Sequence, residues 1–179
     1  MSAAVLTSRL LDYDLGGGRI ADDRTSETLR SLQAAMRAHA RAPASDLRSA
    51  TRNMLADILE QCASDEWDGE GSCGVSERTA GMSERLVLLL EPWLPTGTPL
   101  PDIVPEPDGD LSFTWQSGPA RLFSISVSGR GELAFASKLA GGSEFHGKAQ
   151  LDGIPEGMVR TLAEGIRSLF RRDPGSSSR

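Results

Sequence analysis

Residues 111–116 read LSFTWQ and residues 123–128 read FSISVS, and in both stretches every second residue is a large apolar one. A two-residue period is typical of a β-strand that buries one of its faces. A turn that contains glycine follows each stretch, and Leu133 and Phe135 continue the alternation in a third strand. The sequence therefore predicts an antiparallel β-meander of three or four strands.

Segments on both sides of the meander have apolar residues at helical spacing. Residues 25–41 and 45–62 are predicted to form two helices, and Ser76 is a suitable N-cap for a third helix that ends near Pro92. A last helix is predicted to begin at Pro155. Its apolar face consists of Met158, Leu162, Ile166 and Leu169.

Together these elements predict an α+β fold, with an N-terminal helical region and a three- to four-stranded antiparallel meander packed against helices. The predicted organisation is an N-terminal arm at 1–24, a single domain at 25–171 and a flexible tail at 172–179. Five prolines between positions 95 and 107 exclude a central strand from that connector. The predicted buried face of the meander is Phe113, Trp115, Phe123, Ile125 and Phe135.

Composition limits the classes of function. The formal net charge of the 179 residues is -6, whereas a dedicated nucleic-acid-binding protein needs a basic surface. No apolar run is long enough to cross a membrane, and no signal peptide is recognisable at the N-terminus. With only two cysteines, we expect a cytoplasmic protein in the reduced state. Abundant Ala, Gly and Arg with only two lysines are typical of a GC-rich bacterial genome.

The residues that could carry chemistry do not form a recognisable catalytic or cofactor motif. Residues 69–74 match the letters of a dinucleotide fingerprint, but a helix and the acidic loop 65–70 precede them instead of a buried strand. The spacing of that loop also differs from an EF-hand. We therefore predict no cofactor, no metal and no catalytic residue. The alternative is an enzyme that uses the acidic loop with Cys73 or His146.

Two surfaces are candidates for binding a partner. The arm carries a short apolar stripe that cannot stand alone as a helix in water, formed by Val5, Leu6, Leu10 and Tyr13. The second face of the meander is neutral and has small side chains, which allow another protein to approach closely. Its candidate binding residues are Ser112, Thr114, Gln116, Ser124 and Ser126. The alternatives for the arm are docking on its own domain or disorder. The alternatives for the second face are cover by the N-terminal helices of the same domain or a plain Ser/Thr-rich surface.

Several short motifs resemble those of a small bacterial α+β family. They are EWDGEG at 66–71, WLP at 93–95, IVPEPDG at 103–109 and LSFTW at 111–115. The resemblance implies a Trp-x-Gly-x-Gly turn, a Pro-x-Pro-Asp-Gly turn and a strand with a terminal tryptophan. At 72–75 this chain has SCGV where that family suggests a proline. The family has no established activity and supplies no catalytic residues, so the resemblance favours a scaffold over an enzyme.

The resulting prediction is a non-catalytic protein-binding accessory subunit, or an antitoxin-like partner, in a bacterial multi-component system such as an antiviral defence or toxin–antitoxin locus. Its partner would be another protein or a second copy of the same chain, without a membrane. Besides an enzyme, the alternative is a nucleic-acid-associated protein that binds through C-terminal arginines. These arginines are Arg160, Arg167, Arg171 and Arg172.

Overall fold

The computed structural model describes residues 47–139 and 144–171, and this part of the chain forms three α-helices and five β-strands. The arm, the helix predicted at 25–41 and the tail at 172–179 lie outside the described residues. In chain order the elements are α1 (Leu47–Cys62), α2 (Glu77–Leu90), a 3-10 turn (Glu91–Trp93), β1 (Asp102–Pro105), β2 (Leu111–Gln116), β3 (Leu122–Val127), β4 (Glu132–Lys138), β5 (Glu144–Gln150) and α3 (Glu156–Phe170).

The predicted α+β fold with an antiparallel meander is confirmed. The sheet has the order β1-β2-β3-β4-β5, and every neighbouring pair is antiparallel. The sheet has five strands, one more than the three or four that the sequence predicts. The additional strands lie at the two edges: β1 within the proline-rich connector, and β5 in a segment without a strong alternating pattern. Edge strands tolerate proline and weak apolar alternation because only one side is hydrogen-bonded to a neighbour.

The apolar side chains of the meander form an inner face that is buried against the helices. Phe113, Phe123 and Ile125 have no exposed surface, and only 1% of Trp115 is exposed. A β-carbon on Gly165 of α3 would lie 2.3 Å from a ring carbon of Phe123, so the backbone of α3 approaches the sheet directly. Apolar residues of all three helices and the inner face make one continuous core. No described helix is long and apolar enough to cross a membrane.

Helices α1 and α2 pack against each other beside the sheet. The side-chain oxygen of Ser76 accepts a hydrogen bond of 3.0 Å from the Thr79 amide, which confirms the predicted N-cap of α2. An ion pair between Arg52 and Glu84 connects the two helices at the surface. Pro155 is the N-cap of α3, which therefore begins one residue later than predicted. Trp93 and Leu94 are partly buried against the core.

Candidate functional site

The acidic loop between α1 and α2 uses its carboxylates to hold its own backbone. Asp65 Oδ1 accepts a hydrogen bond of 2.8 Å from the Gly74 amide. Asp68 Oδ1 accepts from the amides of Glu70 at 2.9 Å and Ser72 at 3.3 Å, and Asp68 Oδ2 accepts from the Ser72 hydroxyl. The Ser72 hydroxyl is the main reason that the pKa of Asp68 is lowered. These carboxylates therefore have a structural role in the loop.

The glycines of this loop provide backbone conformations that other residues rarely adopt. Gly69 and Gly71 have φ angles of 75° and 89°, as predicted for a turn between two helices. The indole nitrogen of Trp67 donates to the Cys73 carbonyl at 3.2 Å, which closes the loop. Helix α1 precedes the loop, and the strand that a dinucleotide-binding fingerprint requires is not at this position. The local structure is that of a turn.

The structure does not bring Cys73 and His146 together. The Cys73 amide donates to the Pro107 carbonyl at 2.9 Å, which places Cys73 beside the turn between β1 and β2. His146 lies on β5, three strands away from β2, or about 14 Å at the usual spacing between strands. Cys62 is buried in the core, and burial, with a smaller contribution from the charge of Asp68, raises the pKa of its thiol. Within residues 47–139 and 144–171, no group of three or more His, Cys, Asp or Glu side chains could hold a metal ion.

The described C-terminal arginines are engaged with other side chains of the protein. Arg167 and Arg171 both form ion pairs with Glu164, at 3.1 and 2.7 Å. Arg160 pairs with Glu156 at 3.1 Å, and its guanidinium carbon lies 4.5 Å from the ring centroid of Trp93. Arg172 lies outside the described residues. Alternating carboxylates on α3 thus reduce the positive potential that binding to nucleic-acid phosphates requires.

All five predicted candidate residues on the sheet lie on its second face, which we call the outer face. The register pairs Ser112 with Ser126, and Thr114 with Ser124. The Ser124 hydroxyl is within hydrogen-bond distance of the hydroxyls of Ser112, at 3.1 Å, and Thr114, at 3.2 Å. Since these hydroxyls bond to one another across the strands, a partner can cover them without leaving them unsatisfied. The predicted arm residues Val5, Leu6, Leu10 and Tyr13 lie outside the described residues.

Neighbouring strands extend the outer face in both directions. Val104 on β1 pairs with Ser112 and is 42% exposed, so an exposed apolar side chain lies at one side of the face. On the other side, Ala134 and Ala136 of β4 pair with Lys148 and His146 of β5. The alternation of apolar residues in the sequence does not place Val104, His146 or Lys148 on this face. Only the strand register reveals their position, because β1 and β5 have weak strand patterns.

Acidic residues border one end of the outer face, around the turn between β1 and β2. Burial, followed by the charge of Asp108, raises the pKa of Asp110 to about 6. The pKa of Glu106 is also raised, first by burial and then by Asp108, although a hydrogen bond with Ser112 opposes the shift. The Pro-x-Pro-Asp-Gly motif at 105–109 implies that Asp108 has a turn-forming role. Asp108 Oδ1 does accept a hydrogen bond of 3.2 Å from the Asp110 amide, as expected for that role.

The chain matches no model of a known protein family, and no curated protein or solved structure has significant similarity to it.

Proposed function

We propose that the protein is a non-catalytic protein-binding module and that the outer face of its sheet is the binding surface. The observation that carries this proposal is the cross-strand network of Ser112, Thr114 and Ser124 at the centre of an extended strand surface. A surface of small side chains with internally satisfied hydroxyls is flat and costs little to desolvate, which suits contact with another protein.

The outer face is too small to form a standard protein–protein interface by itself. Five strands at the usual spacing measure about 19 Å across and about 20 Å along the strands, so the face offers roughly 400 Å². A standard protein–protein interface buries about 800 Å² on each partner. A stable complex therefore needs further contacts, and the arm at 1–24, with its apolar Val5, Leu6, Leu10 and Tyr13, is the segment that we propose to provide them.

The role of an accessory subunit or antitoxin-like partner in a bacterial defence system belongs to the same proposal. Identification of the protein that binds to this chain in the native host tests this role. An enzyme that uses the acidic loop is less well supported, since Asp65 and Asp68 are bonded to the loop itself and Cys73 lies far from His146. Binding of nucleic acid is less well supported because the described arginines of α3 pair with carboxylates.

The test is affinity capture from the native host with wild-type protein and matched variants. Ser126→Arg introduces a long charged side chain at the centre of the outer face, whereas Gln61→Arg makes a comparable change on the exposed surface of α1. We expect a protein that is enriched with the wild type and Gln61→Arg and is lost with Ser126→Arg, while both variants melt close to the wild type. If every captured protein binds all three baits equally, the outer face is not the binding surface.

A version of the protein without residues 1–24 tests the contribution of the arm. We expect it to stay folded and to lose most of its affinity for the same captured protein. A truncated protein that unfolds would show instead that the arm belongs to the core of its own domain. Purified wild-type protein that binds DNA or RNA with strong salt dependence would favour the nucleic-acid alternative.

A further inference from the structure

The two edges of the sheet differ in their ability to pair with another strand. The Glu106 amide donates to the Asp110 carbonyl at 2.9 Å, which shows that even-numbered residues of β1 bond to β2. Odd-numbered residues therefore direct their backbone groups away from the sheet. In β1 these are Ile103 and Pro105, and Pro101 directly precedes the strand in the same alternation; neither proline has an amide hydrogen to donate. The β1 edge is thus closed to regular strand pairing.

The β5 edge has the opposite character. The Leu151 amide donates to the Gly131 carbonyl at 2.8 Å, so odd-numbered residues of this strand bond to β4. The residues whose amides and carbonyls point outward are Glu144, His146, Lys148 and Gln150. None of them is a proline, and within the described part of the chain no strand pairs with this edge. The edge therefore presents a regular row of backbone donors and acceptors.

We propose that β5 pairs with β5 of a second copy of the chain, antiparallel and with His146 opposite His146 of the second copy. In this register Glu144 lies directly opposite Lys148 of the second copy. The two-fold symmetry of the pair repeats the contact, so that two ion pairs flank the central histidines. The outward residues at 144, 146 and 148 would form about six backbone hydrogen bonds between the copies.

The registers centred on Gly147 and on Lys148, which align the same backbone groups, lack this charge complementarity. A two-fold axis at Gly147 would place Lys148 opposite His146 and Glu144 opposite the neutral Gln150. A two-fold axis at Lys148 would bring two lysines together, which is unfavourable.

Gly147 provides a second reason for the register at His146. A β-carbon on Gly147 would lie 2.5 Å from the Phe135 ring, so the inner face has no room for a side chain there. The proposed register places Phe145 of the second copy opposite this glycine. Because Gly147 has no side chain and Phe135 of its own chain fills the space there, Phe145 of the second copy meets no β-carbon at the position directly opposite. Phe145 already contacts Phe123 and Phe135 in its own copy, with ring centroids 5.5 and 6.0 Å apart.

Such a dimer would have a continuous sheet of ten strands. Its two outer faces would adjoin and together offer roughly 800 Å², the area that one side of a standard interface buries. Dimerisation through β5 does not depend on the proposed function, because it involves the edge of the sheet and can be measured on the purified chain alone.

The test is sedimentation equilibrium of the full chain with charge-reversal variants. Glu144→Lys and Lys148→Glu each replace two attractions with two repulsions, and we expect each to lower the association constant about tenfold or more. The double variant Glu144→Lys/Lys148→Glu restores opposite charges across the interface and should recover dimerisation. Glu60→Lys, on the exposed surface of α1, is the control and should leave it unchanged.

Recovery in the double variant separates the proposed register from a loss of folding, since a damaged strand would not be repaired by a second charge reversal. A wild-type protein that stays monomeric up to about 1 mM would overturn the proposal. So would single variants that dimerise like the wild type. Hydrogen exchange adds an independent measurement: the amides of His146 and Lys148 should become more protected as concentration rises, whereas the Ile103 amide at the β1 edge should not.

Discussion

The two faces of the sheet carry side chains of very different size, although they alternate along the same strands. On β2 and β3 the inner face holds Phe113, Trp115 and Phe123, all buried, while the outer face between them holds Ser112, Thr114 and Ser124. Helices cover the inner face and fill it with apolar side chains. On the outer face, the serine and threonine hydroxyls form hydrogen bonds to one another across neighbouring strands. The difference shows that apolar packing is concentrated on the inner face, whereas the outer face carries small polar side chains, of which Ser112 and Ser124 are only 8% and 9% exposed.

The largest expected effect is the loss of Trp115 from the inner face. Trp115→Ala should lower the free energy of unfolding by about 3–5 kcal/mol, because it removes a buried ring and leaves a cavity. It also removes the hydrogen bond of 3.1 Å from the indole to the Pro99 carbonyl. Chemical denaturation monitored by circular dichroism measures the change.

Trp93→Ala is the matched control for that substitution. Trp93 is only partly buried, and its ring contacts the guanidinium of Arg160. We expect a loss of about 1 kcal/mol. Equal losses for the two tryptophans would contradict the assignment of Trp115 to the centre of the core.

A smaller effect is expected where α3 contacts the inner face. A methyl group at Gly165 would lie 2.3 Å from a ring carbon of Phe123, so Gly165→Ala should destabilise the protein by about 1–3 kcal/mol through overpacking. Gly157→Ala on the same helix meets no atom within 4 Å and should be neutral or stabilising by up to about 1 kcal/mol. Thermal unfolding of both variants tests the comparison. If Gly165→Ala were also stabilising, α3 would lie farther from the sheet.

The acidic end of the outer face should make stability depend on pH. The pKa of Asp110 is raised from 3.8 to about 6, so the native protein binds more protons than the unfolded chain between these values. Stability from this group is therefore greatest at low pH and falls as pH rises through that window. Asp110→Asn should stabilise the protein above pH 6 by about 1 kcal/mol, a value reduced from the full shift because solvent screens a partly exposed group.

The Asp110→Asn variant should have little effect near pH 3.5, where the wild-type carboxyl is already protonated. Denaturation curves at several pH values provide the measurement. Asp57→Asn, an exposed position on α1, serves as the control for the loss of one negative charge. A gain that is the same at every pH would contradict the raised pKa of Asp110.

The smallest expected effect is on the outer face itself. Ser126→Ala should change the free energy of unfolding by less than about 0.5 kcal/mol, since Ser126 lies outside the hydroxyl network and outside the core. Its neighbour Ile125 is fully buried on the inner face, and Ile125→Ala should cost about 2–5 kcal/mol. Similar losses at the two adjacent positions would show that the outer face is also part of a packed core.

Much of the fold follows from local sequence signals. The alternation in residues 111–116 and 123–128 predicts β2, β3 and the assignment of their side chains to two faces, because a strand directs successive residues to opposite sides. Ser76 predicts the start of α2, since its side chain satisfies an amide that the helix leaves unpaired. The positive φ angles of Gly69 and Gly71 follow from a turn that only glycine adopts easily.

The two edge strands, β1 and β5, form because of tertiary contacts and not because of a strong local sequence pattern. β5 has a glycine at its centre and no strong apolar pattern, and it becomes a strand because β4 provides hydrogen bonds and Phe135 fills the space at Gly147. β1 forms within a proline-rich connector because β2 offers it a partner. The positions of Val104, His146 and Lys148 on the outer face depend on these pairings. Cross-strand register is set by contacts between distant segments, so the spacing of residues along the chain does not contain it.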